Sequence, residues 1–196
     1  MFSPTVYTEI ASQLPTSVKL IAVTKTKAIA DIKAAYAAGL RDFAESRAQE
    51  ALPKIEALSD FGDINWHFIG RLQGNKARKV VEKFAWIHSV DHLALAQRLD
   101  RIAQELNRSP KVLLQVKMLP DDQKTGWTPT ALRQELPELQ TLKSLDIKGL
   151  MTILPLGLTP PECQAAFQTT TEFAHQLTQE FGLTLSELSM GMSQDY

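Results

Sequence analysis

Residues 18–24, Val18-Lys19-Leu20-Ile21-Ala22-Val23-Thr24, form an apolar, β-branched run that predicts a buried strand. From there the pattern alternates between helix-like and strand-like periods. A helix is expected over 28–38, stopped by Gly39. Strands follow at 42–44, 65–70, 85–89, 110–117, 147–152 and 185–190. The helices between them are expected at 46–58, 75–83, 91–106, 129–142 and 160–181. Ser46 and Gln49 read as a capping box and Asp91 as a helix cap. Pro53 is expected to bend its helix, and Pro129 to sit in a first turn.

Regular alternation implies a parallel sheet with helices outside it. An open doubly wound sheet and a closed barrel both satisfy that pattern. The Gly-x-Gly-x-x-Gly turn usual in dinucleotide-binding sheets is absent, which favours a TIM-like (β/α) barrel in a single domain, 1–196. Eight barrel units typically take ~250 residues. The pattern here supplies seven strands, so the last helix and strand of a barrel are expected to be missing.

Composition narrows the class. The chain has 196 residues, 44% hydrophobic and 22% charged, with a net charge of -1. That balance gives no general attraction to nucleic acid or anionic membrane. One cysteine, Cys163, precludes an intrachain disulfide and fits a reducing, cytoplasmic setting. There is no signal-like leader in 1–7 and no apolar run of ~20 residues. Lys76, Arg78, Lys79 and Lys83 surround Glu82 and read as a solvated helix face rather than a nucleic-acid surface. His88 and His92 lack the further ligands of a metal site.

Candidate chemistry lies at the strand ends, where a parallel barrel gathers its functional side chains. Lys25 and Lys27 close the first strand. A lysine there can be shielded from water, lose proton affinity and attack an aldehyde, or it can be a solvated strand-end cation. Ser189-Met190-Gly191-Met192-Ser193 follows the seventh strand. It can form an anion nest of backbone N–H groups and hydroxyls, or an ordinary turn with a serine cap. His67 can donate to a ligand or be a satisfied buried histidine.

Taken together, these segments resemble one family. They are Ala22-Val23-Thr24-Lys25-Thr26-Lys27, Trp66-His67-Phe68-Ile69-Gly70, Ile87-His88-Ser89-Val90-Asp91, Gly149-Leu150-Met151-Thr152 and Ser189-Met190-Gly191-Met192-Ser193. Their order and spacing are similar to the YggS/PROSC family of pyridoxal phosphate homeostasis proteins, with the cyanobacterial branch as the expected home. The resemblance implies a barrel like the N-terminal domain of alanine racemase. It implies pyridoxal 5′-phosphate (PLP) held as an internal aldimine on Lys25. The other cofactor-binding residues it implies are Lys27, Ser46, His67, Ser89, Met151, Ser189, Gly191, Met192 and Ser193. A monomeric, non-catalytic carrier is expected, with apo PLP-dependent enzymes as recipients; a racemase-like enzyme is the alternative. Two departures stand out. The family's Arg-x-Gly segment on the eighth strand is absent. Its Phe-Gly-Glu-Asn motif reads Phe43-Ala44-Glu45-Ser46.

Overall fold

A computed structural model describes residues 2–192. After helix α1 (Pro4–Gln13), seven strands alternate with six helices among the described residues. These are β1 (Ala22–Val23), α2 (Ile29–Ala37), β2 (Asp42–Glu45), α3 (Ala48–Ala57), β3 (Asn65–Phe68), α4 (Ala77–Lys83), β4 (Trp86–Val90), α5 (Leu93–Glu105), β5 (Lys111–Gln115), α6 (Pro129–Leu139), β6 (Asp146–Met151), α7 (Pro160–Phe181) and β7 (Glu187–Ser189). All strand pairs are parallel and follow chain order, β1 to β7. A doubly wound sheet would reverse that order.

The sheet is curled. His88 on β4 bonds Ser189 on β7 at 2.8 Å, although two strands lie between them in the sheet. A flat sheet with strands about 4.8 Å apart could not make that contact. Period-two alternation gives each strand an inner and an outer side. Phe43, Phe68, Ile87, Val112, Leu114 and Leu150 face outward and join Ile32, Ala51, Val80, Leu99, Leu136 and Leu177 in the main core. Trp86, Leu113 and Met151 form a smaller inner cluster. The architecture is the TIM-like barrel winding expected from the pattern. Gly149 lets its last two strands approach, since a Cβ there would lie 1.7 Å from the Glu187 carbonyl oxygen.

Several local expectations are corrected. Residues 18–24 do not form one buried strand: only Ala22 and Val23 pair, Val18 is 49% exposed and Val23 45%. Among the described residues β1 has a partner on one side only, so half of its backbone ladder is unmade. Ser46 and Gln49 form no capping box; Arg47 occupies the N-cap of α3 without a side-chain bond. Asp91 does not cap α5 either, because His92 takes that position and Asp91 Oδ1 contacts His92 Nδ1 at 2.6 Å. Helix α1 was not anticipated, although Ser3 caps it and Pro4 opens its first turn.

The exposed β1 end is tied down by a buried ion cluster. Lys54 on α3 is 7% exposed, and its Nζ lies 2.8 Å from Glu45 Oε1, Glu50 Oε1 and the Thr24 carbonyl. Burial alone would lower the lysine's pKa, but hydrogen bonds to the two glutamates outweigh it and raise the value. Thr24 Oγ1 donates to Glu45 at 2.8 Å, so strand, turn and helix share one network. Truncating Lys54 would leave Glu45, which is fully buried, without its cation. Lys54→Ala is therefore expected to cost about 3–5 kcal/mol in denaturant unfolding. The double variant Lys54→Met with Glu45→Leu should recover most of that loss; no recovery would contradict the electrostatic explanation.

Candidate functional site

Parallel strands carry every carboxyl end to one rim, so Lys25 after β1 and Ser189 at the end of β7 share that rim. Ala22 packs outward in the core and Thr24 turns outward to Glu45, which leaves Val23 and Lys25 on the inner side. A four-residue turn follows, closed by the Lys27 N–H donating to the Thr24 carbonyl at 3.0 Å. Thr26 inside it has φ +64, a left-handed conformation that costs a threonine about 1–3 kcal/mol. Its N–H donates to Glu50, whose carboxyl pKa is lowered by Lys54 first and by this backbone bond second. The carboxylate thus holds a strained turn that projects Lys25.

Lys25 itself is exposed, as is Lys27. The shielded pocket expected around the amine is not built by the described residues. Among the described residues β1 has a neighbour on one side only, which gives Lys25 a wall on one side.

Inside the barrel, polar side chains form a continuous hydrogen-bonded chain. Asp42 Oδ1 lies 3.0 Å from His67 Nε2, and His67 Nδ1 lies 2.9 Å from His88 Nε2. The last link is His88 Nδ1 to Ser189 Oγ at 2.8 Å. His67 stacks on Trp86 with ring centroids 5.7 Å apart. Lys19 and Lys111 approach the same indole at 6.0 and 5.0 Å, and Lys19 also lies 3.6 Å from Asp42. Burial pushes the His67 pKa down, against the pull of Asp42. Burial, then the neighbouring His67, pushes His88 down to about 3. Both imidazoles are therefore neutral at physiological pH.

Two of the expected site residues are bonded to protein groups. Both ring nitrogens of His67 are bonded to protein groups, Asp42 and His88. Ser89 is buried and donates to the Gly70 carbonyl, bracing the loop after β3. Gly70 is required there, because a Cβ would lie 2.0 Å from the Ser46 carbonyl oxygen. Ser46 is half-buried beside that contact, and Met151 lines the interior. Gly191 has φ +88, which suits a glycine turn exposing backbone N–H groups. Met192 follows it, half-buried. Ser193 lies outside the described residues.

The rim fits a phosphate ester carrying an aldehyde. Beside Ser189, the Thr152 N–H donates to the Ser189 carbonyl at 3.0 Å. The Thr152 hydroxyl is buried with no hydrogen-bond partner among the described residues. An orphaned hydroxyl next to a serine and a glycine turn suits an oxygen-rich anion. The primary amine of Lys25 is the matching group for an aldehyde. Sequence reasoning missed the hydrogen-bonded chain that joins Asp42 and His88, although His88 stands in one of the family-like segments. Glu45 was expected at a strand end, but its ion cluster with Glu50 and Lys54 was missed; only the i, i+4 spacing of Glu50 and Lys54 was visible.

Comparison with known proteins agrees with this geometry. Residues 7–196 match the family model of the alanine racemase N-terminal domain. The pyridoxal phosphate homeostasis protein of Synechocystis sp. (strain ATCC 27184 / PCC 6803 / Kazusa) is 65% identical over 196 residues, covering 100% of this chain and 90% of that one. The protein of the same name from Pseudomonas aeruginosa is 41% identical, covering 95% and 79%. The structure of PipY from Synechococcus elongatus PCC7942 with PLP bound superposes with a TM-score of 0.94 at 56% identity, covering 98% and 90%. Alanine racemase from Clostridium difficile 630 shares the fold, with a TM-score of 0.74 at 18% identity over 93% of this chain and 50% of that one. The chain belongs to the pyridoxal phosphate homeostasis protein family, built on the alanine racemase N-terminal domain.

Proposed function

We propose that this protein binds pyridoxal 5′-phosphate through a reversible carbon–nitrogen bond to Lys25 and carries it without catalytic turnover, buffering vitamin B6 and supporting amino-acid and keto-acid homeostasis. The observation that carries the reading is the strained, network-held turn that projects Lys25 from the same rim as Ser189 and Gly191. The PLP complex of PipY, at 56% identity, supports it. When bound, the cofactor supplies an electrophilic aldehyde and a phosphate dianion. Lys25 Nζ would take the first. Ser189, the N–H groups around Gly191, and Ser193 would take the second. Lys27, Ser46, Met151 and Met192 complete the proposed surroundings.

The relatives at 65% and 41% identity carry the name of homeostasis proteins, which favours a carrier over an enzyme. A reversible bond to an amine exchanges with other amines, which suits delivery of the cofactor to apo PLP-dependent enzymes in the cytoplasm. Racemisation needs a base on each face of the substrate carbon. Among the described residues, Tyr36 donates to Asp63 at 2.6 Å behind the sheet, and Tyr7 lies on α1. Neither supplies a second base at the rim. The carrier is proposed to act as a monomer.

Protein freed of excess cofactor is expected to retain a long-wavelength absorption band at the visible edge. Lys25→Ala should abolish that band, and its survival would remove Lys25 as the anchor. A second measurement is racemisation of common L-amino acids by cofactor-loaded protein. No turnover above the rate with free cofactor is expected, and sustained turnover dependent on Lys25 would overturn the carrier reading.

A further inference from the structure

The chain of Asp42, His67, His88 and Ser189 has a direction, and that direction works against anion binding. The Asp42 carboxylate can only accept, so His67 carries a proton on Nε2. A neutral His67 then has a bare Nδ1, which must accept from His88 Nε2–H. That leaves His88 Nδ1 bare, so Ser189 Oγ–H must donate to it. The hydroxyl proton points into the barrel. What Ser189 offers to the rim is lone pairs, and a phosphate oxygen offers the same.

We propose that binding of a phosphate ester at Ser189 is coupled to uptake of one proton by the interior chain, whose reversal turns Ser189 from a donor to His88 into a donor to the ligand. The inference rests on the proposed PLP site and adds to it a built-in proton linkage. The protons balance as follows. In the free protein they reside on His67 Nε2, His88 Nε2 and Ser189 Oγ. With the anion bound they reside on both nitrogens of His67, on His88 Nδ1 and on Ser189 Oγ. The additional proton comes from solvent and leaves His67 as an imidazolium against the Asp42 carboxylate at 3.0 Å. His88 stays neutral and only exchanges one ring proton for the other.

The surroundings suit a poised rather than a fixed charge. The groups acting on His67 are Asp42 on β2, which favours the imidazolium, and Lys19 ahead of β1 and Lys111 on β5, which oppose it. His88 feels His67 beside it on β3. Glu187, two residues before Ser189 on β7, is exposed to solvent. With burial added, the free protein keeps both rings neutral, and a ligand dianion at the far end of the chain supplies the field that draws a proton in. Affinity for the phosphate ester should therefore weaken as pH rises, by the ordinary linkage between proton uptake and binding.

The test uses ¹⁵N-histidine spectra of the whole protein, which has four histidines in all, with pyridoxal 5′-phosphate and phosphate-free pyridoxal as probes. At pH 8 the free phosphate group is mainly dianionic, its second pKa being about 6. On binding pyridoxal 5′-phosphate, His88 should switch from the Nε2–H to the Nδ1–H tautomer, and His67 should become doubly protonated. Calorimetry in buffers of different ionisation heat should give uptake of about one more proton for pyridoxal 5′-phosphate than for pyridoxal. Ser189→Ala should remove that excess. If the absorption band forms but His88 keeps its tautomer, or the excess is the same in Ser189→Ala, the coupling is wrong while the carrier reading stands. If no band forms at all, both fall.

Discussion

The contact between His88 and Ser189 is the constraint on which the account depends, because it can exist only if the parallel sheet curls. Two strands separate β4 from β7 in the sheet, yet their side chains meet at 2.8 Å. The curl divides the chain's side groups into an outer apolar core against the helices and a narrow interior with buried polar groups. It also gathers the strand ends, so that a lysine near residue 25 and a serine near residue 189 become parts of one rim. Without it the sheet would still have a core, but no site.

Two buried polar networks then act on opposite ends of that rim. The cluster of Glu45, Glu50 and Lys54 lies outside the sheet and fixes the turn carrying Lys25, including the left-handed Thr26. The chain of Asp42, His67 and His88 lies inside the sheet and fixes the rotation of the Ser189 hydroxyl. Each consists of groups that are costly to bury alone and acceptable once mutually bonded.

The fold was largely legible in the sequence, because period-two runs at 42–44, 65–70, 85–89 and 147–152 were separated by long amphipathic helices. The missing dinucleotide turn favoured a barrel, whose strands pair in chain order as observed. The first strand misled: its composition is that of a buried strand, but burial also requires neighbours, and β1 has one among the described residues. Ser46 and Asp91 misled as caps, since cap geometry depends on the entry angle of the chain and not on residue type alone. Of the candidate site, the placement of Lys25 and Gly191 just after strands was legible. Lys54 was not, because two of its three partners, the Thr24 carbonyl just after β1 and Glu45 on β2, reach it only after folding. His67 was legible as a buried histidine but not as the middle of a relay.

The central claim is that a single amine at the end of β1 anchors the aldehyde. Borohydride reduction of the cofactor-loaded protein, followed by peptide mapping, tests it most directly. The account predicts a stable pyridoxyl label on the peptide containing Lys25 and on that side chain within it. A label on Lys27 or another lysine, or protein that loads cofactor yet retains no label after reduction, would contradict it.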